Sequence, residues 1–379
     1  MPSIGSIPLA APFCQAGLAG YSDRAMRVVA RRRGCPYAVT EALLDTILLQ
    51  GGEGLRRSID INDEDHPVAG QIIGSDPQTM SLAASILATR GYDVIDLNFA
   101  CPVKKIRNKA RGGHMLRDVA RGIAILRAVR QVLPNSILTL SLRRAFDEND
   151  SHHEALFALL EEAWQQGFAA ARIHGRTVQQ KYLGRADWSI LRQVKRQYPD
   201  RTILGSGDVF TPEDAVRMKL ETGVDVVWVA RGAIGNPWIF SQARQLLAMV
   251  TEQPQTGANG TEARSADARE KRVTLASAGL QPPSIAEQRD ALAEHFSLAM
   301  EIHGEELAGR RMRKMGIKYA RFHPLAMEVK QAFISVRSLG DWRAVLDRFY
   351  SSDGPGIWPA RQAVDEVNTD PDLQHCLTP

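Results

Sequence analysis

The chain has 379 residues, 44% hydrophobic and 24% charged, with a net charge of +4 and four cysteines. That is enough for a (β/α)8 barrel of about 250 residues with chain to spare, and no apolar run approaches the roughly 18 residues of a membrane span. Cys14, Cys35, Cys101 and Cys376 form no C-x-x-C pair, which argues against a disulfide framework and a cysteine-built zinc site, so no metal is expected, and fits a reducing, cytoplasmic setting.

The opening MPSIGSIPLAAPF lacks the basic stretch of a secretory signal, so it is read as part of the fold. A first strand is predicted over Ile7–Leu18, a helix over Ser22–Arg33 and a second strand over Tyr37–Glu41. The next units are strand Val68–Gly74 with helix Asp76–Arg90, and strand Asp93–Asn98 with helix Gly112–Leu133. Strand Ser136–Leu142 precedes helix His152–Gln166, and strand Ala169–His174 precedes helix Asp187–Tyr198. Strand Thr202–Gly205 precedes helix Thr211–Thr222, and strand Asp225–Val229 precedes helix Pro237–Val250. DVIDLNF, SILTLSL and DVVWVA show little alternation, as parallel strands covered on both faces do. A capping side chain before an N1 proline starts two of the helices, at Asp76-Pro77 and Thr211-Pro212. Eight such units predict an α/β fold, a closed (β/α)8 TIM barrel over residues 1–251; an open doubly wound sheet is the other arrangement.

Residues 252–284 are polar, lack apolar periodicity and read as a linker or mobile insertion. From residue 285 to 350 the pattern is helical throughout, giving a small all-helical domain, and 351–379 reads as a loosely ordered tail.

Barrel sites are built at the strands' C-terminal ends. The polar residues there are Gln71, Asn98, Cys101, Arg143, His174, Asp208 and Arg231. Pro102 holds the Cys101 turn extended; a lone cysteine also fits as a small buried hydrophobe. Nine basic residues against one acid lie between Pro102 and Arg130, and six with no acid between Arg310 and Arg321. Both blocks suit a polyanion, or simply solvated helix faces.

The run N-F-A-C-P-V-K-K at 98–105, with Lys109, Gly112 and Leu116, resembles the signature of the tRNA-dihydrouridine synthases. GLAGYSDRAMR (17–27), HGRTVQQKYLGRADW (174–188), GSGDV (205–209), ARGAIGNPWIF (230–240) and MRKMGIKYARFHP (312–324) are similar to further family segments in the same order. The resemblance implies reduction of the C5–C6 double bond of a uridine in tRNA, with FMN as hydride carrier and NADPH as reductant. Cys101 would be the acid that protonates C5, as a thiol rather than a thiolate. Cofactor contacts would come from Gly17, Leu18, Ala19, Gln71, Ser141, His174, Ser206, Gly207, Asp208, Ala230 and Arg231. Substrate contacts would come from Asn98, Lys105, Lys109, Arg143, Arg176 and Tyr182, with Arg313 and Lys314 in the helical domain holding tRNA phosphates.

The chain departs from that pattern where it would bear on the flavin. Ser141 stands where the family's K-x-R strand carries a flavin-contacting lysine, Ser206 where an asparagine is usual, Ala230 for glycine and Gly17 for proline. Another cation could substitute for the lysine. Two other readings stay open: an FMN-barrel reductase of a free small molecule, and a non-catalytic tRNA-binding paralogue.

Overall fold

The computed structural model describes residues 1–52, 55, 57, 59–102, 110–252, 273, 277 and 279–359. Eight parallel strands close into a barrel: β1 (Phe13–Gln15), β2 (Ala38–Val39), β3 (Val68–Ile73), β4 (Val94–Phe99), β5 (Ile137–Arg143), β6 (Ala170–His174), β7 (Thr202–Ser206) and β8 (Val226–Val229). β8 pairs with β1, which closes the ring and removes both sheet edges. The fold is the expected (β/α)8 TIM barrel, with a helical region after it.

The first strand is shorter than expected. Ser3–Ile4 and Ile7–Pro8 pair antiparallel in a separate hairpin, and only Phe13–Gln15 joins the barrel. Ile4 and Leu9 are fully buried and cluster with Val94, Ala170, Leu204 and Val226, so the hairpin plugs the barrel's N-terminal end. This leaves the C-terminal mouth as the open end.

Around the barrel run α1 (Arg24–Arg31), α2 (Asp45–Gln50), α3 (Pro77–Thr89), α4 (Val119–Val132), α5 (Asp150–Gln165), α6 (Ser189–Gln197), α7 (Pro212–Thr222) and α8 (Ile239–Glu252). Asp76 caps α3 through the Thr79 N–H at 2.9 Å, and Thr211 and Asp214 form a capping box on α7. The helix expected from Gly112 begins instead as a 3₁₀ turn over Gly112–Leu116, and α4 starts after Asp118.

The C-terminal region holds α9 (Ile285–His303), α10 (Glu305–Tyr319), α11 (Ala326–Ser335) and α12 (Leu339–Phe349). It docks on two barrel segments. Asp23, the N-cap of α1, also binds His303 Nε2 at 2.8 Å and Arg311 at 3.2 Å. Burial would raise the Asp23 carboxyl, but the His303 hydrogen bond and neighbouring charges outweigh it and hold the group at about 2. After β8, Trp238 meets Tyr319 and Phe322 edge-on, and Gly235 lies so close to α10 that a Cβ would sit 2.6 Å from the Lys318 backbone. Beyond α12, Gly354 and Ile357 hydrogen-bond to Ile285 and Phe322, so the start of the expected loose tail is a strap across these helices. Most of the expected linker, residues 253–272 included, and residues 360–379 lie outside the described residues.

Candidate active site

Inward-facing side chains fill TIM barrels in layers, usually with branched apolar residues. Here a middle layer is polar. Asp96 is fully buried on β4 and accepts hydrogen bonds from Gln71 Nε2, Thr139 Oγ1 and Ser141 Oγ, each at 2.7 Å. Burial raises this carboxyl, opposed by the nearby Arg172 charge and these three bonds. Gln71 Oε1 accepts from Asn98 at 2.7 Å, so the amide of Gln71 is fixed at both ends.

Above this layer the C-terminal mouth opens into a cavity. β4 leads straight into Cys101: Asn98 Oδ1 accepts the N–H groups of Ala100 and Cys101, both at 3.0 Å, turning the chain so that Cys101 lines the cavity. The Cys101 carbonyl accepts the Gly113 N–H at 3.1 Å, and Gly112 at φ 58° brings its backbone to where a Cβ would lie 3.0 Å from the Cys101 Cβ. On the opposite wall, Gly17 approaches β2 so closely that a Cβ would stand 2.0 Å from the Thr40 carbonyl oxygen. Proline, the residue the resemblance leads one to expect at 17, does not fit against that carbonyl.

His174 Nδ1 accepts the Arg176 N–H at 3.1 Å, so the ring proton sits on Nε2. Burial, aided by the guanidinium of Arg143 and its neighbours, pushes this imidazole well below its usual value. It is therefore a neutral donor. Arg143 is buried, donates to the carbonyls of Ala100 (2.8 Å), Thr177 (2.9 Å) and Lys181 (2.7 Å), and ties the Cys101 turn to the 177–182 loop. Burial lowers it to about 10. Tyr182 lies between two guanidinium groups, Arg143 at 5.7 Å and Arg231 at 5.2 Å from its ring centre.

The structure brings most of the expected residues to this one cavity: Gly17–Ala19, Gln71, Asn98, Cys101, Arg143, His174, Tyr182, Ser206–Asp208, Ala230 and Arg231. Two others sit elsewhere. Ser141 is fully buried beneath the cavity, its hydroxyl held between Asp96 and Arg172. Arg176 is buried behind the wall, paired with Asp208 at 2.7 Å and bonded to the carbonyls of Leu183 and Gly184. It fastens the 183–184 loop and does not line the cavity. Asp208, at φ 55°, also pairs with Arg231 at 3.3 Å and accepts the Ala186 N–H, so its carboxylate is engaged within the wall. Lys105 and Lys109 lie outside the described residues. Arg172 and Trp228 line the cavity without having been expected there. The signal was an arginine inside the run A-A-R-I-H, where a strand covered on both faces should be apolar.

Among the described residues, the basic blocks are largely engaged within the fold. Arg111 lies 3.4 Å from Asp45, Arg117 stacks on Phe146, Arg121 pairs with Asp118 and Arg127 with Glu162, and Arg130 binds carbonyls beyond α4. In the second block Arg310 pairs with Glu306, Arg311 reaches Asp23, Lys314 sits 3.5 Å from the Tyr21 ring centre and Arg321 binds the Ile234 carbonyl. Arg313 is exposed. Thus Lys314 folds back onto the loop next to Gly17–Ala19.

Among the described residues no helix is long and apolar enough to cross a membrane, and no cluster of histidine, cysteine and acidic residues could hold a metal.

Residues 14–347 match the model of the dihydrouridine synthase (Dus) family. The chain is 30% identical to tRNA-dihydrouridine synthase B of Xanthomonas axonopodis pv. citri over 352 residues, 92% of each chain. It is 29% identical to the Pseudomonas aeruginosa protein of the same name, over 93% of this chain and 98% of that one. Among solved structures it resembles a histamine dehydrogenase from Rhizobium sp. 4-9, with a TM-score of 0.50 and 14% identity over 65% of this chain and 47% of that one. The chain spans about half the length of that structure, and at that identity the likeness is one of fold. With the family model covering nearly the whole chain, this protein belongs to the dihydrouridine synthase family.

Proposed function

We propose that the protein is a flavin-dependent oxidoreductase that reduces the C5–C6 double bond of a uridine in tRNA, with NADPH as reductant. The observation that carries this reading is the cavity itself, which combines a thiol on a fixed turn with donors facing it from several strands. Its wall donors suit an electron-rich, anionic cofactor. His174 offers Nε2–H, Arg231 a guanidinium, and the buried Trp228 indole N–H has no protein partner among the described residues. Asp208, the acid that lines the cavity, is paired with Arg176 and Arg231, so its charge is offset within the wall. Gly207, Asp208 and the 3₁₀ turn over Arg231–Ala233 stand after β7 and β8, where barrels commonly bind phosphate.

FMN, when bound, would supply the hydride that adds to C6 of the base. The chain supplies the rest. Gly17–Ala19 and Gln71 would flank the ring, and His174, Ser206–Gly207, Ala230 and Arg231 would hold its phosphate side. Cys101 Sγ–H donates the proton that C5 needs, and Asn98 fixes the turn that carries it. Arg143 and Tyr182 close over the base, which must leave its stack to reach them. Arg176 acts from behind by holding the 183–184 loop. Lys105 and Lys109 would contact the substrate.

The protein should purify yellow and bleach on adding NADPH without oxygen. FMN should raise its Tm in proportion to the logarithm of its concentration. A Tm indifferent to saturating FMN rejects the cofactor, and with it this reading.

A further inference from the structure

Among the described residues three arginines line the cavity, and two of them are also bonded to acceptors within the protein. Arg143 is bonded to three carbonyls, and Arg231 pairs with Asp208. Arg172 differs. Its Nε donates to Ser141 Oγ at 3.0 Å, and its guanidinium carbon stands 4.4 Å from the Trp228 ring centre. Its terminal nitrogens have no protein acceptor among the described residues, although Arg172 is only part-exposed and borders the cavity.

Stacking on Trp228 and the Ser141 bond fix the plane of the guanidinium. The Ser141 hydroxyl donates a hydrogen bond to Asp96 at 2.7 Å, so the nearest carboxylate balances the charge through a hydroxyl without capping the terminal nitrogens. A guanidinium held in one plane, with its terminal donors open to the cavity, is prepared for a ligand that carries acceptors. β5 and β6 are adjacent, and Ser141 and Arg172 are register partners, so a cation on either position reaches the same part of the cavity floor.

We propose that Arg172 is the flavin-facing cation of this chain: supplied by β6 where its register partner on β5 is Ser141, it meets the N1–C2=O edge of the bound isoalloxazine. This rests on the flavin reading above. Hydride transfer from NADPH delivers two electrons and one proton to the ring, yielding NADP⁺ and leaving negative charge on that edge, where a guanidinium makes charge-assisted hydrogen bonds. Arg172 therefore favours the reduced over the oxidised cofactor. The contrasting role is a purely structural one, in which Arg172 serves only to neutralise the buried Asp96.

The test needs no turnover. FMN dissociation constants are measured for the oxidised and reduced cofactor, together with the yield of the sulfite adduct at N5, a reaction that a positive charge near N1 promotes. Four proteins are compared: wild type, Arg172→Leu, Arg172→Leu with Asp96→Asn, and Arg172→Leu with Ser141→Lys. The Asp96→Asn pair removes both charges together and guards against misfolding caused by an unbalanced carboxylate. We expect loss of Arg172 to weaken reduced-FMN binding by about 10- to 100-fold relative to oxidised FMN and to suppress the adduct. Ser141→Lys should restore both. A folded Arg172→Leu/Asp96→Asn protein that keeps the wild-type preference for reduced FMN and the wild-type adduct yield overturns the assignment. A wild-type protein that binds no FMN in either state overturns the flavin reading itself, and this inference with it.

Discussion

Cys101 combines two properties that the other described cysteines lack. It borders the cavity, and its turn is locked by Asn98 and by close packing of Gly112, whereas Cys14 and Cys35 are buried and burial raises both thiols. Replacing Cys101 with Ala should leave flavin reduction by NADPH intact and lower dihydrouridine formation by roughly 10²–10⁴-fold, the loss expected for one general acid. Stopped-flow absorbance and nucleoside analysis of tRNA separate the two steps; near-normal product would remove Cys101 from the chemistry. Gly17→Ala should lower Tm and FMN affinity together, because its Cβ would meet the Thr40 carbonyl at 2.0 Å. The polar strand ends were legible in sequence because strand geometry places them at the mouth. Arg172 was not, since it lies two residues before the end of its strand, at a layer where packing is the ordinary expectation. Arg176, in a motif that invites a substrate role, turned out to fasten a loop because its partner Asp208 is brought close only by the fold.

Among elements, the seam between α1 and α9 carries the clearest titratable group. Asp23 is held at about 2, below the usual carboxylate value near 3.9. Its contribution is therefore present above pH 4 and lost as pH falls through 2. By linkage it amounts to about 2–3 kcal/mol. Asp23→Asn keeps a capping side chain but removes the charge facing His303 and Arg311. It should lower stability near neutrality and flatten the decline between pH 4 and 2, as denaturant titrations at stepped pH would reveal. An unchanged acid profile would locate the sensitivity elsewhere. Helix existence and capping were legible, as at Asp76 and Thr211, whereas the fate of the basic residues was not. Arg127 and Arg130 sit on α4 facing an acid on α5 and carbonyls beyond the helix end, partners far apart in sequence. The sequence shows the charges but not which are already satisfied.

At the scale of the whole molecule, the helical region is fastened to the barrel through α1 and the loop after β8; under the proposed function, an RNA held on one would present its bases to the other. Gly235 and Trp238, within a motif of the last barrel loop, serve this docking by admitting the backbone of α10 and packing on its aromatic residues. The same docking brings Lys314 against Tyr21, contrary to what its distance along the chain suggested. Arg313 is thus the cleaner probe. Arg313→Glu should weaken tRNA binding without altering Tm or NADPH oxidation, and should reduce the slope of log K against log salt by about 0.7–0.9 for one lost phosphate contact. A wild-type slope would mean that Arg313 only solvates its helix. The barrel and the helical region were both foreseeable from periodicity, but the N-terminal hairpin was not. Its two-residue strands are too short to show alternation, and it takes its place only because the barrel's lower end must be filled.

The most direct test of the account is a single turnover without oxygen. Protein whose bound FMN has been reduced by NADPH, then freed of excess nucleotide, is mixed with tRNA lacking dihydrouridine. The tRNA should reoxidise the flavin with one dihydrouridine formed per flavin, a reaction strongly slowed in Cys101→Ala. Flavin that stays reduced in the presence of tRNA, or reoxidises without forming dihydrouridine, would contradict it.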